Sequence, residues 1–176
     1  MFNENNTDPF VHLVTCADVE GDAKKIFESI EKSSGSVPKW MRVMGNSQEI
    51  FVNFFRLFNS TMGEGTIDPV LKWKISYKVS ELNKCDFCVS VTKMKLKSFG
   101  LSDEEIMRID HAEDEVEKLV LAYAEASTEH AYKIKDSIKN KLKENFTDEQ
   151  IVELTATVGL FNFINRFNDA LDVLPG

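Results

Sequence analysis

Two cysteines three residues apart, Cys85 and Cys88, are the residues of this chain whose types and spacing point most directly to chemistry. On a helix, residues i and i+3 are neighbours, with Cβ atoms about 5–6 Å apart. A disulfide usually joins Cα atoms about 4.4–6.8 Å apart, so closure needs little backbone movement. Because the loop it closes is short, such a bond restricts the unfolded chain little. The spacing therefore suits a reversible dithiol/disulfide couple.

A Cys-x-x-Cys pair has other interpretations. Two cysteines on an apolar helix face can be small core residues. A structural zinc site needs two more ligands, and the three histidines, His12, His111 and His130, lack the spacing of a zinc finger. Haem attachment is excluded because Val89, rather than a histidine, follows the second cysteine. We therefore expect neither a metal nor another bound cofactor.

The residues around the two cysteines determine how readily a thiolate forms. If a helix begins after Asn83-Lys84, both thiols lie in its first turn, where free backbone N–H groups and the helix dipole favour an anion. Thr92 lies one turn after Cys88, where its hydroxyl could donate a hydrogen bond to a thiolate. Glu81, four residues before Cys85, is the candidate carboxylate base.

Arg166, near the end of the chain, is a separate candidate. It is surrounded in the sequence by apolar residues, and a guanidinium among apolar side chains needs a partner. A structural ion pair or a carbonyl contact would satisfy it. The functional alternative is that it orients a substrate or the helix that carries the cysteines.

Composition limits the class of protein. A chain of 176 residues, 43% hydrophobic and 28% charged, is typical of one globular domain. Its net charge of −8 disfavours nucleic acid or an anionic membrane surface as the main partner. The first residues lack the features of a secretory signal, and no apolar run approaches a membrane span. We therefore expect a cytoplasmic protein that binds neither nucleic acid nor membrane.

Apolar residues recur with the helical period and no strand-like alternation is convincing, so the sequence predicts an all-α fold. A thioredoxin fold, in which a strand precedes the cysteines, is disfavoured for the same reason. The predicted helices cover about 18–33, 38–45, 68–82, 85–99, 113–126, 130–144 and 148–172. A further helix is predicted to begin at Ser47 and to end before a loop over 62–66. Residues 1–176 are expected to form a single domain, with 1–15 as a flexible or arm-like N-terminal segment.

Several residues are predicted to begin or end these helices. Asp68-Pro69 supplies an N-cap and a first-position proline, and Pro38 is placed at the first position of a short helix. Ser102–Glu105 and Thr147–Gln150 read as capping boxes, and Gly100 ends the cysteine helix.

An apolar stripe marks the helix that follows Ser47. It is predicted to belong to the core or to a subunit interface, because phenylalanine-rich helices hold more apolar surface than a small bundle hides. Its members are Ile50, Phe51, Phe54, Phe55 and Phe58.

Taken in order, five segments of the chain resemble the AhpD-like superfamily of alkylhydroperoxidases and carboxymuconolactone decarboxylases, in its peroxidase-related branch. The segments are Ser36–Trp40, Leu71–Cys88, Phe99–Ile106, Phe146–Ile151 and Phe161–Arg166. The resemblance covers most of the chain and implies an AhpD-like helical bundle that assembles into homo-oligomers, as a trimer or a hexamer.

The resemblance also implies a reaction. Cys88 would be the peroxidatic cysteine that attacks a small hydroperoxide, and Cys85 would resolve the resulting sulfenic acid as a disulfide. A dithiol reductant, such as a lipoylated or thioredoxin-like protein, would be the electron donor.

Two departures from the family pattern concern proton transfer. Well-known members have a glutamate twelve residues before the first cysteine, where this chain has Trp73, and a histidine four residues after the second, where it has Thr92. Activity is therefore expected to be weak, to use Glu81, or to be aimed at another substrate. The alternatives are a degenerate member that binds a small molecule or partner without turnover, and a decarboxylase-like enzyme, for which the sequence offers no histidine-based proton-transfer site.

Overall fold

The computed structural model describes residues 8–175, and all regular secondary structure in that range is helical. This confirms the predicted all-α fold class. In chain order the helices are α1 (Gly21–Ser34), α2 (Lys39–Met44), α3 (Gln48–Met62), α4 (Pro69–Asn83), α5 (Asp86–Ser98), α6 (Asp103–Met107), α7 (Glu115–His130), α8 (Asp136–Asn145) and α9 (Asp148–Ala170), with short 3₁₀ turns at Ile109–His111 and Ala131–Lys133.

Three of the predicted helix starts are confirmed by their capping hydrogen bonds. The Asp68 carboxylate accepts two backbone N–H groups of the first turn of α4, at 2.8 and 3.1 Å. Ser102 and Glu105 form a reciprocal capping box at the start of α6. At the start of α9, Thr147 and Gln150 exchange side-chain-to-backbone hydrogen bonds of 3.0 and 3.3 Å. These polar side chains satisfy N–H groups that a helix leaves free at its N-terminus.

Two predicted starts near the N-terminus differ from the structure. α1 begins at Gly21 rather than near 18, because the Asp18 carboxylate accepts the backbone N–H and the hydroxyl of Thr15, at 2.8 and 2.7 Å, and so stabilises a separate turn. Pro38 is the N-cap of α2, and Lys39 is its first residue.

The predicted helix over 130–144 is wrong at its start. α7 continues to His130, a 3₁₀ turn follows, and α8 begins at Asp136. An acidic residue in the first turn is favourable at the positive end of the helix dipole. Helical periodicity continues across the junction and does not show where one helix stops and the next begins.

The described chain divides into two compact units. One consists of residues 8–59 and 167–175, and the other of Ser60–Arg166. In the first unit the Phe10 N–H donates to the Leu171 carbonyl at 2.9 Å, and the Val14 N–H to the Arg42 carbonyl at 3.1 Å. Residues 1–7 of the expected N-terminal arm lie outside the described residues. The single-domain interpretation and the arm stay predictions.

The core of the first unit is aromatic. The rings of Phe27 and Phe51 meet edge to face, with centroids 5.0 Å apart, and those of Trp40 and Phe54 do so at 5.7 Å. Such pairs add to the stabilisation that comes from burial alone. Phe51 and Phe54 of the predicted stripe are therefore core residues, whereas Ile50 is 55% exposed and lies outside this core.

Gly45 allows close packing in the same unit. A Cβ at this position would lie 2.7 Å from a Val14 methyl carbon and 2.9 Å from the Phe27 ring. Any larger residue would therefore push the N-terminal segment or the ring out of place.

In the second unit, α4 is a central helix that packs against α5 and α7. Nearly every residue from Lys72 to Ser80 is buried. The buried hydroxyls of Ser76 and Ser80 donate to carbonyls one turn back, at 2.8 and 2.7 Å. Lys78 reaches Asp110 and Glu125, at 2.8 and 3.0 Å. Polar groups on this helix are thus paired, as burial requires.

A buried ion pair fixes the start of α4. The Lys72 side chain is fully buried, forms an ion pair with Glu153 of α9, and donates to the Gly63 carbonyl at 2.9 Å. Glu153 also accepts the Thr66 N–H and hydroxyl, at 2.9 and 2.6 Å. Burial raises the pKa of Glu153, but the hydrogen bonds and the charge of Lys72 outweigh it and lower the pKa to about 2. The carboxylate therefore stays ionised.

Among residues 8–175, none of the helices combines the length and the apolar composition that a membrane span requires.

Candidate functional site

The turn between α4 and α5 carries the two cysteines. α4 ends at Asn83, and Lys84 adopts the left-handed conformation, with φ 59° and ψ 33°. The Lys84 N–H donates to the Glu81 carbonyl at 3.0 Å, and the Cys85 N–H donates to the Ser80 carbonyl at 3.1 Å. This pair of hydrogen bonds is a Schellman motif, which ends a helix by satisfying its last carbonyls. The predicted pause at Asn83-Lys84 is therefore confirmed.

Cys85 and Cys88 lie on opposite sides of the start of α5. Cys85 is the N-cap, with extended backbone angles, and Cys88 is the third helical residue. The prediction that both thiols lie in the first turn is thus wrong for Cys85, because the Schellman motif uses its N–H before the helix begins. The two cysteines lie close together and are buried, with exposures of 0% and 4%.

The start of α5 favours negative charge at this pair. Backbone N–H groups of the first helical turn have no acceptor within the helix, and the positive end of the helix dipole lies there. Cys85 provides no side-chain cap to them in the reduced form. These features of the helix favour a thiolate, whereas the burial of both cysteines and the nearby Asp86 carboxylate oppose it. No group of three or more metal-ligating side chains suited to a metal ion occurs in the described part of the chain.

Thr92 is buried one turn after Cys88. Its hydroxyl donates to the carbonyl of Cys88 at 2.8 Å and shares a longer contact of 3.1 Å with the carbonyl of Val89. A hydroxyl has one proton, so a hydrogen bond to the Cys88 thiolate requires it to rotate away from both carbonyls. The thiolate hydrogen bond stays a prediction.

Glu81 lies in the last turn of α4 and is exposed. Its carboxylate accepts a hydrogen bond from the Tyr77 hydroxyl at 2.7 Å. Burial, followed by the hydrogen bond and the charge of Glu81, raises the pKa of Tyr77 far above its usual value. Tyr77 thus stays protonated and holds one oxygen of the carboxylate. The role of Glu81 as a base stays a prediction.

Trp73 lies on α4, twelve residues before Cys85. It is buried and meets Phe161 edge to face, with ring centroids 5.9 Å apart. The Lys95 ammonium lies 5.9 Å from the Trp73 ring centroid and 5.1 Å from that of Phe99. An indole cannot exchange protons near neutral pH, so this position supplies packing and a cation–π contact.

Arg166 is exposed rather than buried among apolar residues. Its guanidinium donates to the backbone carbonyl and the side-chain oxygen of Asn162, at 2.9 and 2.6 Å. The apolar neighbours in the sequence point to other sides of the helix. The contact is the carbonyl type considered from the sequence, and a role in orienting a substrate stays a prediction.

Sequence reasoning missed an amide network beside the cysteine turn. The Asn83 side chain, at the end of α4, donates to side-chain oxygens of Asn162 and Asn165 on α9, at 3.1 and 3.0 Å. Asn165 in turn donates to the buried Ser80 hydroxyl at 3.1 Å. The only available signal was the presence of asparagines within the apolar pattern of the last helix.

Four surface clefts in the described part of the chain are lined by residues other than the two cysteines. The largest of them, about 560 Å³, lies in the second unit and is lined in part by Lys74, Arg108 and Glu117. None of the four includes Cys85 or Cys88 in its lining.

The segment that carries the cysteines is similar to known proteins. Residues 48–115, which include α4, the cysteine turn and α5, match the model of the carboxymuconolactone decarboxylase family. The uncharacterized protein YnjA of Escherichia coli (strain K12) is 33% identical over 112 residues, which are 61% of this chain and 62% of YnjA. The match thus spans less than two thirds of that relative's length.

Solved structures share the fold. A peroxidase-related protein from Silicibacter sp. TM1040 superposes with a TM-score of 0.86 and 22% identity, covering 100% of this chain and 96% of the other. An AhpD-core, peroxidase-related protein from Ralstonia eutropha JMP134 superposes with a TM-score of 0.85 and 18% identity. The match covers 96% of this chain and 92% of the other. The predicted resemblance is therefore confirmed: the chain has the fold of AhpD-like peroxidase-related proteins, and residues 48–115 match the model of the carboxymuconolactone decarboxylase family.

Proposed function

We propose that this protein is a thiol peroxidase that reduces small hydroperoxides through a Cys85–Cys88 disulfide. The observation that carries the proposal is the placement of two cysteines, close together at the N-terminal end of α5, inside the segment that matches the family model. The dipole of α5 supports thiolate formation there.

The proposed cycle balances without a bound cofactor. The Cys88 thiolate attacks the terminal oxygen of the hydroperoxide, the O–O bond breaks, and an alcohol leaves after taking up a proton. The Cys88 sulfenic acid then condenses with the Cys85 thiol to form the disulfide and release water. A dithiol reductant protein, lipoylated or thioredoxin-like, returns both electrons by thiol–disulfide exchange.

Proton transfer is the step that we expect to limit the rate of the proposed reaction. Trp73 and Thr92 stand where other members carry an acid–base pair, and Glu81, four residues before Cys85, is the candidate carboxylate base. We therefore propose a modest turnover rate, with Glu81 as the base that accepts the thiol proton. We further propose that the protein works in the cytoplasm as a homo-oligomer, a trimer or a hexamer.

A second candidate is a protein that binds a small molecule or a partner without turnover. It is favoured by Trp73, which fills the relay position with a packed indole, and by the burial of both sulfurs. A decarboxylase-like activity has weaker support, because His111 and His130 are both exposed and lie away from the cysteine turn in sequence.

The deciding experiment compares Cys85→Ser with Cys88→Ser, each in a Cys16→Ser background, after addition of one equivalent of an organic hydroperoxide. The peroxidase proposal expects a sulfenic acid that a dimedone probe traps at Cys88 in the first variant, at a rate above that of free cysteine. Trapping no faster than free cysteine in both variants would favour the binding alternative.

The role of Glu81 has its own test. Glu81→Gln keeps a side chain that accepts the Tyr77 hydrogen bond but removes the base. If Glu81 takes the thiol proton, the pH dependence of sulfenic acid formation changes in this variant. An unaltered pH–rate profile would exclude Glu81 from proton transfer.

A further inference from the structure

The asparagine clamp consists of Asn83, Asn162 and Asn165 and ties the end of α4 to α9. The Asn83 amide nitrogen donates to the side-chain oxygen of Asn162 at 3.1 Å and to that of Asn165 at 3.0 Å. An amide group has two N–H donors, and here each has its own acceptor. The last residue of α4 is therefore held at two points.

Both acceptors are themselves fixed. The Asn165 side chain is fully buried, and its nitrogen donates to the Ser80 hydroxyl at 3.1 Å. The Asn162 nitrogen donates to the Thr128 hydroxyl at 3.1 Å. With both nitrogens engaged elsewhere, both oxygens must face Asn83. Asn165 is buried and Asn83 and Asn162 are half-buried, and a network of paired amides in such a place restricts the local structure.

The residue next to the clamp has a strained backbone. Lys84 is left-handed, at φ 59°, a conformation that residues with a Cβ adopt at a cost of about 1–2 kcal/mol. Such conformations persist where the surroundings over-determine them, and they concentrate at functional sites. The strained residue lies between the clamp and Cys85, and its geometry sets where the Cys85 side chain emerges relative to α5.

We propose that the asparagine clamp is a positioning device that holds Cys85 in place for disulfide closure with Cys88. Asn83, Asn162 and Asn165 act through the Lys84 turn. The step they assist is the condensation in which the S–S bond forms, the S–O bond of the Cys88 sulfenic acid breaks, and water leaves. This proposal rests on the proposed function in one respect, because it takes Cys85 and Cys88 as the redox-active pair.

The test is a redox titration that needs no hydroperoxide. The Cys16→Ser protein is equilibrated in glutathione buffers, where two glutathione thiols reduce the protein disulfide and become glutathione disulfide. Asn83→Ala removes both hydrogen bonds of the Asn83 amide and is expected to weaken the protein disulfide about tenfold, a loss of about 1.4 kcal/mol. For a two-electron couple this raises the midpoint potential by about 30 mV.

Two further variants separate positioning from general stability. Asn145→Ala is the matched control, since Asn145 is exposed and its amide donates only within α8, to the Lys141 carbonyl at 2.8 Å. It should leave the midpoint unchanged. Asn83→Ala combined with Lys84→Gly should return the midpoint toward that of the parent, because glycine adopts the left-handed turn without the Cβ penalty.

The possible outcomes divide clearly. The clamp proposal is overturned if Asn83→Ala leaves the midpoint potential unchanged or lowers it. It is also overturned if adding Lys84→Gly to Asn83→Ala fails to restore the midpoint potential. Should Asn83→Ala not fold, Asn162→Ala, which removes one acceptor, is expected to give a smaller shift in the same direction. If the midpoint moves as expected while hydroperoxide leaves the thiols intact, the clamp stands and the peroxidase proposal fails.

Discussion

Replacing Glu153 with glutamine removes the charge from one partner of a buried ion pair and should strongly destabilise the protein. The pKa of Glu153 falls from an ordinary 4.5 to about 2. Since one pKa unit corresponds to about 1.4 kcal/mol, the ionised carboxylate contributes about 3 kcal/mol to the free energy of unfolding at neutral pH. The variant also leaves the fully buried Lys72 ammonium without its counter-charge, and breaking a buried pair typically costs about 3–5 kcal/mol.

The assay is urea unfolding followed by circular dichroism at pH 7. With a typical urea dependence of about 2 kcal/mol per M, the loss lowers the midpoint by about 1.5–2.5 M. Glu115→Gln is the matched control: Glu115 pairs with Lys118 on the surface and is 84% exposed. The same chemical change there should leave the midpoint where it is.

The pH dependence of the difference gives a second check. A carboxyl group whose pKa is lowered by folding stabilises the protein above its unfolded pKa, and this contribution is lost as the pH falls through the folded value. The difference in the free energy of unfolding between wild type and Glu153→Gln should therefore be largest above pH 4.5 and should decrease as the pH falls toward 2. Equal midpoints for Glu153→Gln and Glu115→Gln at pH 7 would refute the reasoning.

Two other substitutions test neighbouring features. Gly65→Ala places a Cβ where the Glu153 carboxylate lies. It should therefore lower the free energy of unfolding by about 1–3 kcal/mol. An unchanged urea midpoint would show that the loop accommodates the methyl group without loss of stability. Thr92→Val removes a hydroxyl that donates to the carbonyls of Cys88 and Val89. It should leave the pH dependence of Cys88 alkylation unchanged in a Cys85→Ser, Cys16→Ser background, and a shift to higher pH would mean that the hydroxyl turns to the thiolate.

Local signals predicted most of the helices and the position of the cysteine turn. Asp68, Ser102 and Thr147 mark helix starts because capping depends on residues a few positions apart. The pause at Asn83-Lys84 was visible for the same reason. The left-handed backbone of Lys84 was not, because glycine usually fills that position and lysine carries no sequence signal for it.

Features that depend on distant segments could not be predicted. Lys72 is fully buried although lysine favours the surface, because Glu153, eighty-one positions later in the sequence, neutralises it. The asparagine clamp likewise joins α4 to α9, and nothing in either segment alone indicates that their side chains meet. Arg166 shows the converse: apolar neighbours in sequence suggested burial, but the side chain lies on the exposed face of α9.

The most direct test of the redox role is a free-thiol count on the Cys16→Ser protein before and after one equivalent of an organic hydroperoxide. Peptide mapping under non-reducing conditions should identify the product. We expect two free thiols per chain to fall to none, with a Cys85–Cys88 disulfide as the product, faster than free cysteine reacts. Two thiols that persist, or a loss no faster than that of free cysteine, would contradict the assignment of this pair as a peroxide-reducing dithiol.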